Sequence, residues 1–221
     1  MDQAGLVAIT PAAVAVSPSA AEVRRRFRGL EALAATAGRG VRGDHDLNPG
    51  MAPPERLREA AVLVALVDRP GGLTVIFTRR TAHLAAHAGQ ISFPGGHTED
   101  GDESPEAAAL RETEEEIGLD RRHIEPLGRL DTYITRTGFR VTPVVALVRP
   151  PFALTPDARE VDEVFEAPLS LILAPDQPRR ESRELFGVAR FFYVFPWQGH
   201  SIWGATAGML VNLRQALEGK P

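Results

Sequence analysis

The sequence predicts an α+β fold, a mixed sheet with helices packed against it. Three observations lead there. Apolar runs come in hairpin pairs, the clearest being 60–67 and 73–78 across the turn Arg69-Pro70-Gly71-Gly72. A sharply bounded helix interrupts the strands at 105–117. Strands and helices otherwise interleave irregularly, unlike the regular alternation of a doubly wound parallel sheet. With 221 residues the chain is long enough for one domain with a full core.

Residues 1–18 read as a weakly ordered Ala/Val/Pro arm. Residues 19–35 read as a helix, with Val23, Phe27, Leu30 and Leu33 near one face. Arg24-Arg25-Arg26 inside it reads as a solvated helix face. Residues 36–54 lack periodicity and hold Asn48-Pro49-Gly50, so they read as a linker. The chain thus divides into an N-terminal arm, helix and linker over 1–55 and the main domain over 56–221. In that domain the returning strand of the first hairpin ends at Arg79-Arg80. Residues 81–96, rich in Gly, His and Ala, read as a loop lying over a site. After the helix come strand-like runs at 128–134 and 139–148, joined at Arg136-Thr137-Gly138, and another at 161–167. A short helix at 170–173, a second hairpin from 185–186 and 191–195, a strand at Ile202-Trp203 and a helix at 205–217 complete the order.

Composition narrows the function. A net charge of −4 gives no footprint for nucleic acid as a partner. With no cysteine, disulfides, zinc–thiolate sites and thiol catalysis are excluded. No apolar run is long enough to span a bilayer, so no membrane partner is expected. The first residues lack a basic segment and are broken by prolines, unlike a signal peptide, and a cytoplasmic location is expected. A homodimer is the assembly left open.

The chemistry concentrates at 95–119. Ser104 suits a helix N-cap, Pro105 the first helical position and Gly118 the left-handed stop. At 3.6 residues per turn Leu110, Thr113 and Ile117 share a stripe that should face a core, and Arg111, Glu112, Glu115 and Glu116 share roughly the opposite one. Glu112 and Glu116 are one turn apart and Glu115 lies close to both. Three such carboxylates repel unless a cation sits among them, and Mg²⁺ or Mn²⁺ suits an all-oxygen set. Arg111 is placed to pair with Glu115 and fix it. A glutamate run is more often a solvated face. Here it follows an arginine, is entered from a glycine loop and is closed by a glycine, which favours a metal site.

These residues resemble the box of the Nudix hydrolases, G-x5-E-x7-R-E-U-x-E-E-x-G-U, with U a bulky apolar residue. Residues 111–119 match its second half, with Thr113 in place of U, and Glu103 matches its first glutamate. Gly96 stands one residue further from Glu103 than the box has it, as in the coenzyme A pyrophosphatase branch. That branch carries an upstream mark, L-L-T-x-R-[SA]-x3-R-x3-G-x3-F-P-G-G. Ile76-Phe77-Thr78, Arg79-Arg80, Gly89 and Phe93-Pro94-Gly95-Gly96 are similar to it. Thr81 and Ala85 depart, Ala85 replacing an arginine. Further similarity to the branch runs from about residue 60 to 217.

The resemblance implies an α-β-α sandwich and a metal-dependent hydrolase that cuts the diphosphate of coenzyme A, with Mg²⁺ or Mn²⁺ clamping the diphosphate and activating water. Within it, Glu112 and Glu116 are expected as metal ligands, and Glu115 as a third ligand or the general base. Arg111 belongs with Glu115 to the catalytic set. Gly95 and Gly96 allow backbone to approach metal or phosphate, and Glu103 braces the loop or the helix start. Arg79 and Arg80 either contact substrate phosphate or pair with surface carboxylates. His87 and Gln90 either touch substrate or support the loop. His83, His97 and His123 read as structural, and Trp197, Trp203 and the aromatics at 191–195 as packing. The rivals are a Nudix hydrolase of another nucleotide, such as ADP-ribose or a dinucleotide, and a silent nucleotide-binding regulator of the same fold. The second rival usually loses box carboxylates, and all three are present here.

Overall fold

Val23 and Phe27, one helical turn apart, are fully buried and anchor the first helix, α1, Ala20–Ala37. In the computed structural model residues 17–37, 39–82, 89–185 and 187–219 are described, so most of the expected N-terminal arm lies outside them. The span expected as a linker is structured. It holds strand β1, Val41–Gly43, and a 3-10 turn at Asp44–Leu47. Its polar groups are laced into the rest of the chain: Tyr133 donates to Asp44 Oδ1 at 2.9 Å, and buried Asn48 exchanges two hydrogen bonds with the Phe191 backbone. Those contacts join positions about 90 to 140 residues apart, so no local period could announce them.

Of the expected arginine face, Arg25 and Arg26 are exposed, and Arg24 instead ties α1 to the sheet through a two-pronged bond to Glu125, both contacts at 2.9 Å. Arg149 reaches the same carboxylate. The hydrogen bonds from Arg24 hold the Glu125 carboxyl down at about 2. A depressed carboxylate stabilises the fold above its unfolded value near 4.5 and loses that contribution as pH falls through about 2. The pair is partly solvated, so no more than about 1 kcal/mol is expected. In urea denaturation Glu125→Gln should cost that amount at pH 7, with the gap from wild type closing at acid pH; an equal gap at pH 7 and pH 2 would contradict the assignment.

Strand β2, Arg58–Arg69, and strand β3, Gly72–Arg80, form the expected hairpin, turning at Pro70-Gly71 with Gly72 at φ 110°. Two short strands follow, β4, Ile91–Ser92, and β5, Gly95–His97, the latter paired with β2. Helix α2 spans Pro105–Ile117 as expected. Beyond it the run expected at 128–134 divides into β6, Ile124–Arg129, and β7, Thr132–Ile134, both antiparallel to β8, Phe139–Val148. Strand β9, Val161–Pro168, pairs with β3, and α3, Leu169–Leu173, follows. Strands β10, Arg179–Leu185, β11, Val188–Trp197, and β12, His200–Trp203, form a separate antiparallel sheet, and α4 is Gly204–Glu218.

The main sheet is mixed. β2 and β8 are parallel from Arg58↔Phe139 to Val67↔Val148, whereas β2–β3, β3–β9 and β6–β8 are antiparallel. Alternation along β2 divides the core in two. Ala61, Leu63, Ala65 and Val67 pack with Ala108, Ala109 and Ile117 of α2. Ala60, Val64 and Leu66 turn to the other face and pack with residues of α1, α3 and α4. The result is the α-β-α sandwich, with α2, alone among the described helices, on the face that carries the carboxylates.

Candidate active site

Helix α2 starts and stops where its capping residues dictate. The Ser104 hydroxyl accepts from the Ala107 N–H at 3.2 Å, and Gly118 takes φ 66° with its N–H on Glu114 O. Thr113 and Ile117 are fully buried on the core stripe, and Leu110 packs half-buried beside them. Thr113 fits a position meant for an apolar side chain because its hydroxyl donates to Ala109 O one turn back at 2.6 Å.

The opposite stripe meets the glycine loop. Gly95 donates its N–H to Glu116 Oε2 at 3.0 Å, and Arg80 Nη1 approaches Glu116 Oε1 at 3.4 Å. Glu116 is 5 % exposed. That burial pushes its carboxyl up to about 7 against the pull of Gly95 and Arg80, with Glu112 and Glu160 raising it further. Burial likewise raises the Glu112 carboxyl above its ordinary range. The close fit depends on both glycines. A Cβ on Gly95 would meet Ala61 O at 2.4 Å, and one on Gly96 would meet Glu112 Oε2 at 2.4 Å.

Arg111 organises the outer side. Its Nη1 donates to Glu112 at 2.9 Å and to Glu115 at 3.2 Å, the latter being the expected one-turn pair. Its other nitrogens bind Asp102 at 2.9 and 3.1 Å and the His97 carbonyl at 3.0 Å. Asp102, whose side chain is 6 % exposed, therefore braces loop against helix. Glu103, from which a brace is expected, is exposed and makes no hydrogen bond or ion pair with a described residue. Nothing in the run Glu99-Asp100-Gly101-Asp102-Glu103 marks which acid meets the arginine, because a loop has no period.

The remaining residues separate. Arg80 lies in the site, also near Glu160 at 3.7 Å. Arg79 does not: it pairs with Asp162 at 2.7 Å and Glu163 at 3.2 Å, which is the surface-pair reading of that arginine. Gln90 flanks Arg80 through its carbonyl, which accepts the Arg80 N–H at 3.0 Å. His83, Ala85 and His87 lie outside the described residues. Glu160, just before β9, is a carboxylate that helix spacing could not reveal, since it arrives from another part of the chain.

The donor chemistry fits a hard divalent cation: oxygen ligands only, with two carboxylates whose ionisation is opposed by burial and by neighbouring carboxylates. Among the described residues no three His, Asp or Glu side chains close around one point. Guanidinium groups sit among the carboxylates instead, Arg80 against Glu116 and Arg111 between Glu112 and Glu115. Glu112 and Glu116 are the inner pair available to an ion. Glu115, with a side chain 60 % exposed, lies toward solvent.

Comparison with known proteins agrees with this architecture. Residues 57–198 match the NUDIX domain. The Nudix hydrolase NudL of Photorhabdus laumondii is 38 % identical over 170 residues, covering 75 % of this chain and 90 % of that protein. A mitochondrial Nudix hydrolase 15 of Arabidopsis thaliana is 35 % identical, over 76 % of this chain and 62 % of that one. The crystal structure of a Nudix hydrolase from M. smegmatis shares the fold, with TM-score 0.51 and 20 % identity over 78 % of this chain and 93 % of that one.

Proposed function

This chain belongs to the Nudix family, and on that premise we propose that it hydrolyses the diphosphate linkage of coenzyme A and its acyl derivatives, giving 3′,5′-ADP and 4′-phosphopantetheine or its acyl form. One observation carries the reading. The coenzyme A mark upstream of the box and the box itself meet at a single carboxylate: Arg80 and Gly95 come from the first, Glu116 from the second. Two residues of the upstream mark thus touch a carboxylate of the box, which supports reading the two together.

In this reading Glu112 and Glu116 hold Mg²⁺ or Mn²⁺, with Glu115 and Glu160 at the rim. When bound, the ion supplies positive charge against the diphosphate oxygens and activates water. Gly95 fixes the Glu116 carboxylate by its N–H. Arg111 keeps Glu112 and Glu115 in place and is itself held by Asp102. Glu115, exposed and held by one arginine, is positioned to take a proton from water. Arg80 is the guanidinium for substrate phosphate. Its contacts at 3.4 and 3.7 Å are looser than the 2.7 and 3.2 Å pairs of Arg79, so less is given up when it turns to a phosphate oxygen.

Coenzyme A has one diphosphate to clamp, and its 3′-phosphate is a monoester that should survive. Loss of one charge-assisted contact to that phosphate, worth roughly 1.5–3 kcal/mol, should make dephospho-coenzyme A poorer by about tenfold or more in kcat/KM. The thioester lies far from the diphosphate, so acyl-coenzyme A should be cut. Steady-state rates on coenzyme A, dephospho-coenzyme A and ADP-ribose at matched concentrations test the assignment. ADP-ribose turned over faster than coenzyme A would overturn it and leave the carboxylate site standing.

A further inference from the structure

We propose that β10 is a dimer seam, at which two copies of this chain pair edge to edge, antiparallel, about Ser182. β10 is an edge of the smaller sheet, bonded on one side to β11 from Arg179↔Val194 to Leu185↔Val188. Its other side meets no described backbone. Residues 179–184 are all exposed. Such an edge presents a row of free N–H and C=O groups, a template for another strand.

The charges decide which strand fits. Charged residues on an edge commonly keep edges apart, and a row of one sign would do so here. This row reads Arg180, Glu181, Ser182, Arg183, Glu184. Reversed against itself about Ser182 it places Arg180 opposite Glu184 of the second copy and Glu181 opposite Arg183. Every charged residue from 180 to 184 then faces its opposite. Among antiparallel registers that pair five or more residues of β10, it is the one without a like-charge pair: a shift of one or two residues either way sets arginine against arginine or glutamate against glutamate. Pairs that face each other across antiparallel strands share a face, so two attractive pairs fall on each side of the joined sheet.

The monomer leaves these groups available. None of Arg179, Arg180, Glu181, Arg183 and Glu184 forms an ion pair with a described residue. Arg180 lies over the Phe191 ring of β11 at 4.2 Å and Arg183 approaches Trp203 of β12 at 5.9 Å, on opposite faces, so in the monomer both guanidiniums lean inward over aromatic rings and would turn to the edge to meet the partner's glutamates. Val188 and Phe191, exposed by 48 % and 38 %, lie on β11 one strand in from the seam. The pairing would join two three-stranded sheets into one.

Charge reversal with rescue tests it. Molar mass is measured by light scattering and sedimentation over a concentration series, with circular dichroism as the folding check. The wild type is expected to dimerise. Arg183→Glu alone, or Glu181→Arg alone, turns two attractive pairs repulsive by symmetry and should weaken dimerisation by about tenfold or more. The double variant Glu181→Arg with Arg183→Glu restores opposite signs in the same register and should restore the dimer. A monomeric wild type, a dimer indifferent to either single reversal, or a double variant no better than the singles would each overturn the proposal.

Discussion

Glu116→Gln is expected to lower turnover by about 10³-fold or more while the protein stays folded. The substitution keeps the size of the side chain and its acceptor for the Gly95 N–H. It removes the negative charge that would hold the ion, and charge stabilisation by such an ion is worth several kcal/mol at the transition state, at about 1.4 kcal/mol per decade of rate. Stability should hold or rise, because a carboxylate whose ionisation is opposed by burial and by Glu112 and Glu160 is replaced by a neutral group, offsetting the lost contact with Arg80. The check is a pair of measurements on one preparation, the steady-state rate and the urea midpoint. Near-normal activity would remove the central role given to this side chain.

Gly95→Ala should damage fold and activity together. Gly95 has φ 144°, where a side chain is strained, and its Cβ would meet backbone atoms of β2, Ala61 O at 2.4 Å and Val62 Cα at 2.6 Å. Neither neighbour can rotate away as the tip of a side chain would. Strain of about 1–3 kcal/mol and overpacking of about 1–3 kcal/mol add to roughly 3 kcal/mol or more. Displacing β5 also withdraws the N–H from Glu116. Gly71→Ala, where a Cβ meets nothing within 4 Å and φ is not positive, is the control and should be near neutral. Thermal melts and rates of both variants decide it: an unchanged melting temperature for Gly95→Ala would show that β5 has room which the geometry denies it.

The helix was the most legible part of this chain, since Ser104, Pro105 and Gly118 act within a few residues of where they stand and fix Pro105–Ile117 from both ends. The same holds for the Arg111–Glu115 pair, one turn apart. The hairpin of β2 and β3 was legible because its turn residues and its apolar run are contiguous. What could not be read rests on contacts between distant segments. Asp102 was hidden among neighbouring acids, and Glu160 reaches Arg80 from the approach to β9, far along the chain. Arg79 and Arg80 looked alike as a strand-end pair. Only the sheet separates them, one turned to Asp162 and Glu163, the other to Glu116. The first helix was legible, with Val23 and Phe27 on its buried face, but the span read as a linker misled for the same reason: Asp44 and Asn48 find their partners in the body of the fold, and a window of sequence contains none of those partners.

The most direct measurement is the identity of the products formed from coenzyme A. Protein, coenzyme A and Mg²⁺ or Mn²⁺ are incubated, with and without chelator, and the mixture is resolved by chromatography and mass spectrometry. The account predicts 3′,5′-ADP and 4′-phosphopantetheine in equal amounts, and neither once the ion is chelated. Free phosphate released from the 3′ position, or cleavage undiminished by chelator, would contradict it.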